Sequence, residues 1–150
     1  MRIALYEPEI AQNVGAILRL GACLGVGVDL IEPMGFAWDD RRVRRTAMDY
    51  IDHVEIVRHA GFGAFHATIG SSRLLLLTTK GRQSPYDFAF LPDDILLFGK
   101  ESAGVPAAVH DVCDARLRIP MRSQVRSMNL ATSAGIALGE ALRQTGRLPV

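Results

Sequence analysis

The 150-residue chain lacks the sequence features of several large protein classes. No apolar run approaches the roughly 18 residues of a membrane span, and the opening stretch MRIALYEPE becomes acidic too early for a signal peptide. The two cysteines, Cys23 and Cys113, both lie in apolar helical contexts, which predicts reduced core residues rather than a disulfide. We therefore expect a cytoplasmic protein that does not enter a membrane.

Common signatures of nucleotide, metal and hydrolase sites are also missing. No G-x-G-x-x-G follows the first predicted strand and no G-K-[ST] occurs, so ordinary Rossmann and P-loop sites are not predicted. The four histidines are scattered, His110 and Cys113 form only a helical pair, and no serine lies in a G-x-S-x-G elbow. We expect no metal site.

The composition that is present is that of an ordinary α/β protein, with 49% hydrophobic, 22% charged and 7% aromatic residues. Strand and helix patterns alternate along the chain, and no repeat or linker divides it. This predicts one α/β domain over residues 1–150, with a mostly parallel sheet and helices on both faces. The predicted strands are residues 2–6, 27–32, 53–58, 73–79, 94–98 and 115–119, and the predicted helices before residue 117 are 14–24 (with Asn13 as cap), 39–50, 62–69 and 106–113 (with Pro106 in the first turn).

The stretch LRIPMRSQVRSMNLATSAGIALGEALRQ, residues 117–144, is the most informative part of the chain. It reads as a strand end, a basic polar loop and a helix capped by Ser127 or Asn129. One interpretation is a helix packed tightly on the sheet. The other is that the loop and the helix N-terminus form a ligand site while a small-residue face packs on a partner. That face would contain Ala134, Leu138 and Ala141, and Gly135 and Gly139 would allow close backbone approach.

Three loops follow predicted strands late in the chain: TTKGR, GKESAGVP and PMRSQVRSMN. In parallel sheets, ligands bind beyond the carboxyl ends of strands. Glycines, backbone N–H groups and small polar side chains would suit a flat adenine held by main-chain contacts. Glu101 in the second loop could be a base, an acceptor for a ligand, or a turn residue.

Charge alone does not predict a nucleic-acid partner, because the net charge is only +1. However, only Lys80 and Lys100 of the 17 basic residues are lysine, and arginine binds phosphate bidentately and stacks on bases. The densest group follows two aspartates, so it is either an RNA contact or a solvated helix face. It contains Arg41, Arg42, Arg44 and Arg45.

Five segments in order resemble the successive motifs of the SPOUT superfamily of RNA methyltransferases. They are LYEPEIAQNVGAILRL, IEPMGFAWDDRRVRR, LTTKG, LFGKESAGVP and RIPMRSQVRSMNLATS. The chain is most similar to the branch that methylates the ribose 2′-oxygen of the wobble nucleotide, cytidine or uridine, in tRNA. The resemblance extends over nearly the whole chain.

The resemblance implies a homodimeric α/β domain whose C-terminal part forms a deep trefoil knot, with S-adenosylmethionine (SAM) bound in the knotted loops, no metal, and the tRNA anticodon stem-loop as partner. It implies that Arg19 is catalytic, with Asn13 supporting the same loop. The implied cofactor-binding residues are Leu77, Thr78, Gly99, Glu101, Ile119, Ser127, Asn129 and Leu130. The implied RNA-binding residues are Arg41, Arg42, Arg45, Arg122 and Arg126.

Two alternatives stay open from the sequence. The first is a related SPOUT 2′-O-methyltransferase that acts on ribosomal RNA or another tRNA position. The second is a catalytically silent knotted protein that only binds RNA. The joint presence of a candidate catalytic set argues against the silent protein; that set is Asn13, Arg19, Glu101, Ser127 and Asn129.

Overall fold

The structure, a computed structural model, describes the backbone of residues 1–150 and all side chains except those of residues 46–48. Six strands form one sheet in the order β3-β2-β1-β5-β4-β6, and every pairing is parallel. The predicted parallel sheet is therefore confirmed. The strands are β1 Arg2–Tyr6, β2 Gly27–Ile31, β3 Ile56–His59, β4 Leu74–Leu77, β5 Ile95–Phe98 and β6 Ala115–Leu117.

Helices connect the strands, as the alternating pattern predicted, although several boundaries differ. The predicted helix 39–50 becomes an α-helix followed by a 3-10 helix, Met48–His53, which delays the third strand. Pro106 is the N-cap of its helix rather than a first-turn residue. The α-helices are α1 Ala11–Leu24, α2 Asp40–Ala47, α3 Phe62–His66, α4 Ala107–Val112 and α5 Leu130–Gln144; a 3-10 helix covers Pro85–Asp87. Within the described part of the chain, no helix is both long enough and apolar enough to cross a membrane.

Two apolar layers cover the sheet because successive side chains of a strand point to opposite faces. In β1, Ile3 and Leu5 join one core with α1 and α5, whereas Ala4 and Tyr6 join a second core with α3 and α4. Each of these four side chains is buried. Burial on both faces explains the unbroken apolar runs of β4 and β5.

The apolar face of α5 packs inside its own chain. Ala134, Leu138 and Ala141 are each 0% exposed and belong to the core shared with α1. The expectation that these residues form a partner-binding face is therefore wrong, because no surface remains for a partner. An added Cβ at Gly135 or Gly139 would meet nothing within 4 Å, so no close approach to the described chain explains these two glycines.

Both chain ends lie near the amino edge of the sheet, where the strands begin. The Met1 ammonium donates to the Pro92 carbonyl at 2.6 Å, and Arg147 Nη1 donates to the same oxygen at 3.0 Å. Burial, followed by the nearby Arg147 charge, lowers the pKa of the Met1 amine. Helix α5 thus runs from the carboxyl edge of the sheet back to the amino edge.

Three polar side chains on neighbouring strands, Arg2, Asp29 and His59, form a hydrogen-bonded cluster beside α3. The Asp29 carboxylate accepts from Arg2 Nε at 2.6 Å and lies 2.8 Å from His59 Nε2. A Cβ at Gly27 would lie 2.4 Å from Arg2 Nη1, so the glycine makes room for the guanidinium. Asp29 and His59 are buried, which makes Asp29 the common partner of the group.

We expect Asp29→Ala to destabilise the fold by about 3 kcal/mol, because it leaves Arg2 and His59 without their shared acceptor in a mostly buried setting. The matched control is Asp52→Ala. Asp52 pairs with Arg44 at 3.1 Å, but both side chains are more than half exposed, so its loss should stay below about 1 kcal/mol. Urea denaturation of both variants gives the two values, and equal losses would contradict this assignment.

The cysteines differ in environment, contrary to the prediction that both are core residues. Cys113 is buried, and burial raises the pKa of its thiol to about 11. Cys23 is exposed on α1 because its position falls outside the apolar stripe of the helix. Both thiols are free in the structure.

At pH 8, one thiol per chain should therefore react quickly with Ellman's reagent. Cys113 stays protonated below its raised pKa and is shielded, so it should react only after denaturation. Cys23→Ser should remove the fast phase and leave the slow one. Two fast equivalents in the native protein would contradict the buried state of Cys113.

Candidate ligand-binding cleft

A cleft of about 590 Å³ opens at the carboxyl edge of the sheet. Its walls come from the segments that follow β4, β5 and β6 and from the first residues of α1 and α5. Parallel strands end at one edge, which is why loops distant in sequence meet there. The volume is that of a small-molecule or cofactor site.

The turn 99–104 forms one wall and is closed by its own backbone. Lys100 and Gly104 exchange N–H···O bonds of 3.1 and 2.8 Å. A Cβ at Gly99 would lie 2.5 Å from the Gly104 carbonyl carbon, and Gly104 has a φ of 67°. Glycine is therefore required at both ends, and at these two positions no side chain stands between the backbone and the cleft.

The opposite wall is formed where the chain leaves β6 and crosses the loop after β4. Thr78 N donates to the Leu117 carbonyl at 2.9 Å, and Arg118 N donates to the Gln83 carbonyl at 2.9 Å. A Cβ at Gly81 would lie 2.6 Å from the carbonyl carbon of Leu117. The two segments are thus in direct backbone contact, which fixes this wall of the cleft.

Two glutamates link the start of α1 to the turn 99–104, because each accepts hydrogen bonds from the segment that carries the other. Glu101 accepts from the backbone N–H groups of Glu9 at 2.8 Å and Ile10 at 3.2 Å. In return, Glu9 accepts from Ser102 N and Ser102 Oγ, each at 2.8 Å. These bonds from Ser102 lower the pKa of Glu9. We call these four contacts the carboxylate exchange.

The carboxylate exchange explains how α1 begins. Ile10, the N-cap, offers no side-chain acceptor, and the first N–H groups of a helix need one. Glu101 supplies a carboxylate there, where negative charge is also favoured by the helix dipole. Beside it, Lys100 Nζ donates to Glu7 Oε2 at 2.8 Å, and this bond lowers the pKa of Glu7.

A chain of amides extends the exchange to α5. Asn13 Nδ2 donates to Glu101 Oε1 at 3.1 Å, and Asn129 Nδ2 donates to Asn13 Oδ1 at 2.9 Å. Asn129 Oδ1 accepts from Ala131 N and Thr132 N, which confirms it as the cap of α5. Asn13, predicted as the cap of α1, instead lies inside that helix and bridges the other two side chains.

The structure brings the predicted cofactor-binding residues together in the cleft. Because both oxygens of Glu101 are engaged by α1, this residue borders the cleft as a support rather than as a free acceptor. The cofactor-binding role of the eight predicted residues stays a prediction. The eight residues are Leu77, Thr78, Gly99, Glu101, Ile119, Ser127, Asn129 and Leu130, and the predicted Asn13 and Arg126 line the same space.

The predicted catalytic arginine lies elsewhere. Arg19 is exposed on α1, its guanidinium 4.9 Å from the centre of the Tyr50 ring, and it is not among the described residues that line this cleft. Helix α2, which packs on α1, carries the predicted RNA-binding group on its exposed side. That group is Arg41, Arg42 and Arg45; Arg122 is also exposed, in the loop before α5.

Sequence reasoning missed several residues that line the cleft. His110 lies on α4, where no local motif marks it, and Arg118 begins the segment RIPMRSQVRSMNLATS but was not chosen as a site residue. Among the described lining residues, Glu101 is the one carboxylate, whereas four side chains are cationic, so the cleft suits a ligand with an anionic group. The cationic side chains are Lys80, Lys100, Arg118 and Arg126. Among described residues, no group of three or more His, Cys, Asp and Glu side chains could hold a metal.

Comparison with known proteins places this architecture in a defined group. Residues 1–139 match the model of the SpoU rRNA Methylase family. The tRNA (cytidine(34)-2'-O)-methyltransferase of Beijerinckia indica is 55% identical over 97% of this chain and 92% of its own length. The protein of that name from Escherichia coli K12 is 43% identical, covering 97% of this chain and 94% of its own.

Two solved structures have a fold similar to that of this chain. One, described as "Structural insights into the 2-OH methylation of C/U34 on tRNA", superposes with a TM-score of 0.91 and 40% identity, covering 95% of this chain and 94% of its own. The SpoU methyltransferase AviRb from Streptomyces viridochromogenes, in complex with the cofactor AdoMet, gives a TM-score of 0.87 at 26% identity. The superposition covers 96% of this chain but only 57% of AviRb.

The carboxylate exchange predicts a specific sensitivity at Glu101. Glu101→Gln puts an amide donor where three N–H groups donate, so at least one partly buried donor loses its acceptor, and we expect a loss of about 1 kcal/mol in unfolding free energy. The control Asp52→Asn, at an exposed pair, should change it by less than about 0.5 kcal/mol. Urea denaturation measures both, and a Glu101→Gln protein as stable as its parent would contradict this role.

Proposed function

This chain belongs to the SpoU methylase family of the SPOUT superfamily, and from that premise we propose that it transfers a methyl group from SAM to the ribose 2′-oxygen of the wobble nucleotide 34, cytidine or uridine, in tRNA. The observation that carries the proposal is the convergence of eight cofactor-binding candidates, from four separate segments, on one cleft. Sequence identity favours the tRNA branch, because it is 55% and 43% to the two relatives named as tRNA methyltransferases but 26% to AviRb.

The cleft fits SAM in size and chemistry. Its volume of about 590 Å³ suits a nucleoside with an amino-acid tail. The backbone at the lining residues Leu77, Gly99 and Ile119 offers main-chain donors and acceptors to a flat base, and the cationic side chains suit the carboxylate of the tail. When bound, SAM supplies a methyl group on a sulfonium, which is already an activated leaving group.

The chain's own residues must then align the ribose hydroxyl and assist loss of its proton. Arg19 is the candidate for this task. A guanidinium titrates above about 12 and is a donor only, so it cannot act as the base. We infer that Arg19 holds the phosphate beside the target ribose and orients the hydroxyl, with the proton passing to a neighbouring oxygen or to solvent.

Because Arg19 does not line the cleft of its own chain, a homodimer is part of the proposal. In it, Arg19 of the partner subunit approaches the cleft, so that each site uses two chains. The exposed arginines of α2 would extend the same surface toward the anticodon stem-loop, since α2 packs on α1. The open space beside Gly135 and Gly139 on α5 would admit close helix contact, whereas Ala134, Leu138 and Ala141 are already buried.

A trefoil knot and a cytoplasmic location complete the proposal. The knot is supported by the tight crossing of the chain after β6 over the loop after β4, with Gly81 at the contact. Residues 120–129 then continue along the cleft to α5. The location is supported by the tRNA substrate.

Mixing two inactive variants tests the shared site. We expect Arg19→Ala to keep SAM affinity and lose about a hundredfold or more in single-turnover methylation, as loss of an oriented charged group does. Gly99→Val should lose SAM binding, because its side chain would strike Gly104 and open the turn. After subunit exchange, half of the dimers hold one intact site, so activity should recover to about a quarter of the parent value.

Ser127→Tyr, at an exposed position on the cleft wall, replaces Gly99→Val if that variant fails to fold. Calorimetry with SAM and gel filtration check that each variant binds and assembles as stated. No recovery in the mixture, with exchange verified by differently tagged chains, would show that Arg19 does not act across the interface. Near-normal turnover by Arg19→Ala alone would overturn its catalytic role.

A further inference from the structure

His110 is a cleft residue that the proposed reaction does not yet use. It lies on α4 and lines the cleft with part of its side chain exposed. Arg116, from β6, holds it in place: Arg116 Nη2 donates to the His110 carbonyl at 2.7 Å, and Arg116 Nε is shared between that carbonyl at 3.1 Å and the ring atom His110 Nδ1 at 3.2 Å. The ring is therefore anchored through Nδ1.

This anchor fixes which ring nitrogen carries the proton. A guanidinium only donates, so Nδ1 must present its lone pair, and the proton of the neutral ring is on Nε2. The nearest carboxylate, Asp111, lies 3.9 Å from Nδ1, too far for a hydrogen bond. His110 thus offers the cleft a hydrogen-bond donor, Nε2–H, and no acceptor.

We propose that His110 Nε2–H donates to the carboxylate of the amino-acid tail of SAM, an inference that rests on the proposed function. The carboxylate is the one anionic group of this cofactor, and a bond to a charged acceptor is about twice as strong as a neutral one. The adenine, in contrast, is served by the backbone of the strand ends.

The four cationic side chains of the cleft differ from His110 in their setting. Lys100 is committed to Glu7. Lys80, Arg118 and Arg126 are exposed and lie outside the helices and strands. His110, in contrast, lies on a helix and accepts three hydrogen bonds from a strand residue, Arg116, one of them at the ring, so its donor has a fixed direction. A donor with a fixed direction selects the tail by the position of its carboxylate as well as by the negative charge of that carboxylate.

Two ligands that differ in the tail separate this role from a general structural one. S-adenosylhomocysteine has the amino-acid tail, whereas 5′-methylthioadenosine has the same nucleoside without it. By calorimetry, His110→Ala should bind S-adenosylhomocysteine about tenfold or more weakly and 5′-methylthioadenosine unchanged. His110→Gln, whose amide nitrogen reaches close to the Nε2 position, should recover part of the loss, and His110→Asn should not. His66→Ala, at an exposed position on α3, is the control.

Each result has one meaning. Equal weakening for both ligands would assign His110 to the nucleoside or to folding, and unchanged affinity for both would remove it from the site; either result overturns the inference while leaving the proposed function intact. A parent protein that binds neither ligand would overturn both. Nitrogen-15 NMR of the imidazole adds a direct check, because a proton found on Nδ1 contradicts the anchored ring.

Discussion

The carboxylate exchange between Glu9 and Glu101 is the contact on which the site depends. It joins the start of α1 to the turn 99–104, and Asn13 passes the connection to Asn129 and so to α5. Each acceptor satisfies N–H groups that a helix start or a tight turn would otherwise leave unpaired. The three segments therefore hold one another in register, and the cleft between them is formed by the same bonds that complete the secondary structure.

Much of the fold follows from the sequence because its rules are local. The apolar runs of β4 and β5 predicted a parallel sheet covered on both faces, and Asn129 was one of two candidate caps, with Ser127, before an apolar helix. Asn13 looked like the same kind of cap and was not, because the acceptor for α1 comes from Glu101, far along the chain. A local pattern cannot show an acceptor supplied from another strand-end loop.

The candidate site was predictable only where motifs carried it. Leu77 ends a strand and Gly99 and Ile119 follow strands, and their convergence follows from parallel topology. The role proposed for His110 depends on Arg116, six residues later in a different element, and the position of Arg19 depends on how α1 packs. The face of α5 shows the limit of composition, since small residues suit a partner helix and the protein's own sheet equally; burial of Ala134 and Leu138 decides for the sheet.

The two chain ends share one hydrogen-bond acceptor, the Pro92 carbonyl, on the edge of the sheet opposite the cleft. Anything joined to either end, such as a purification tag, a surface linker or a fused domain, therefore emerges on the far side of the sheet from the cleft. Immobilisation through Met1 or through the C-terminal residues would leave the cleft open to solvent. The architecture is thus suited to modular extension, because added chain and bound ligand occupy opposite ends of the same six strands.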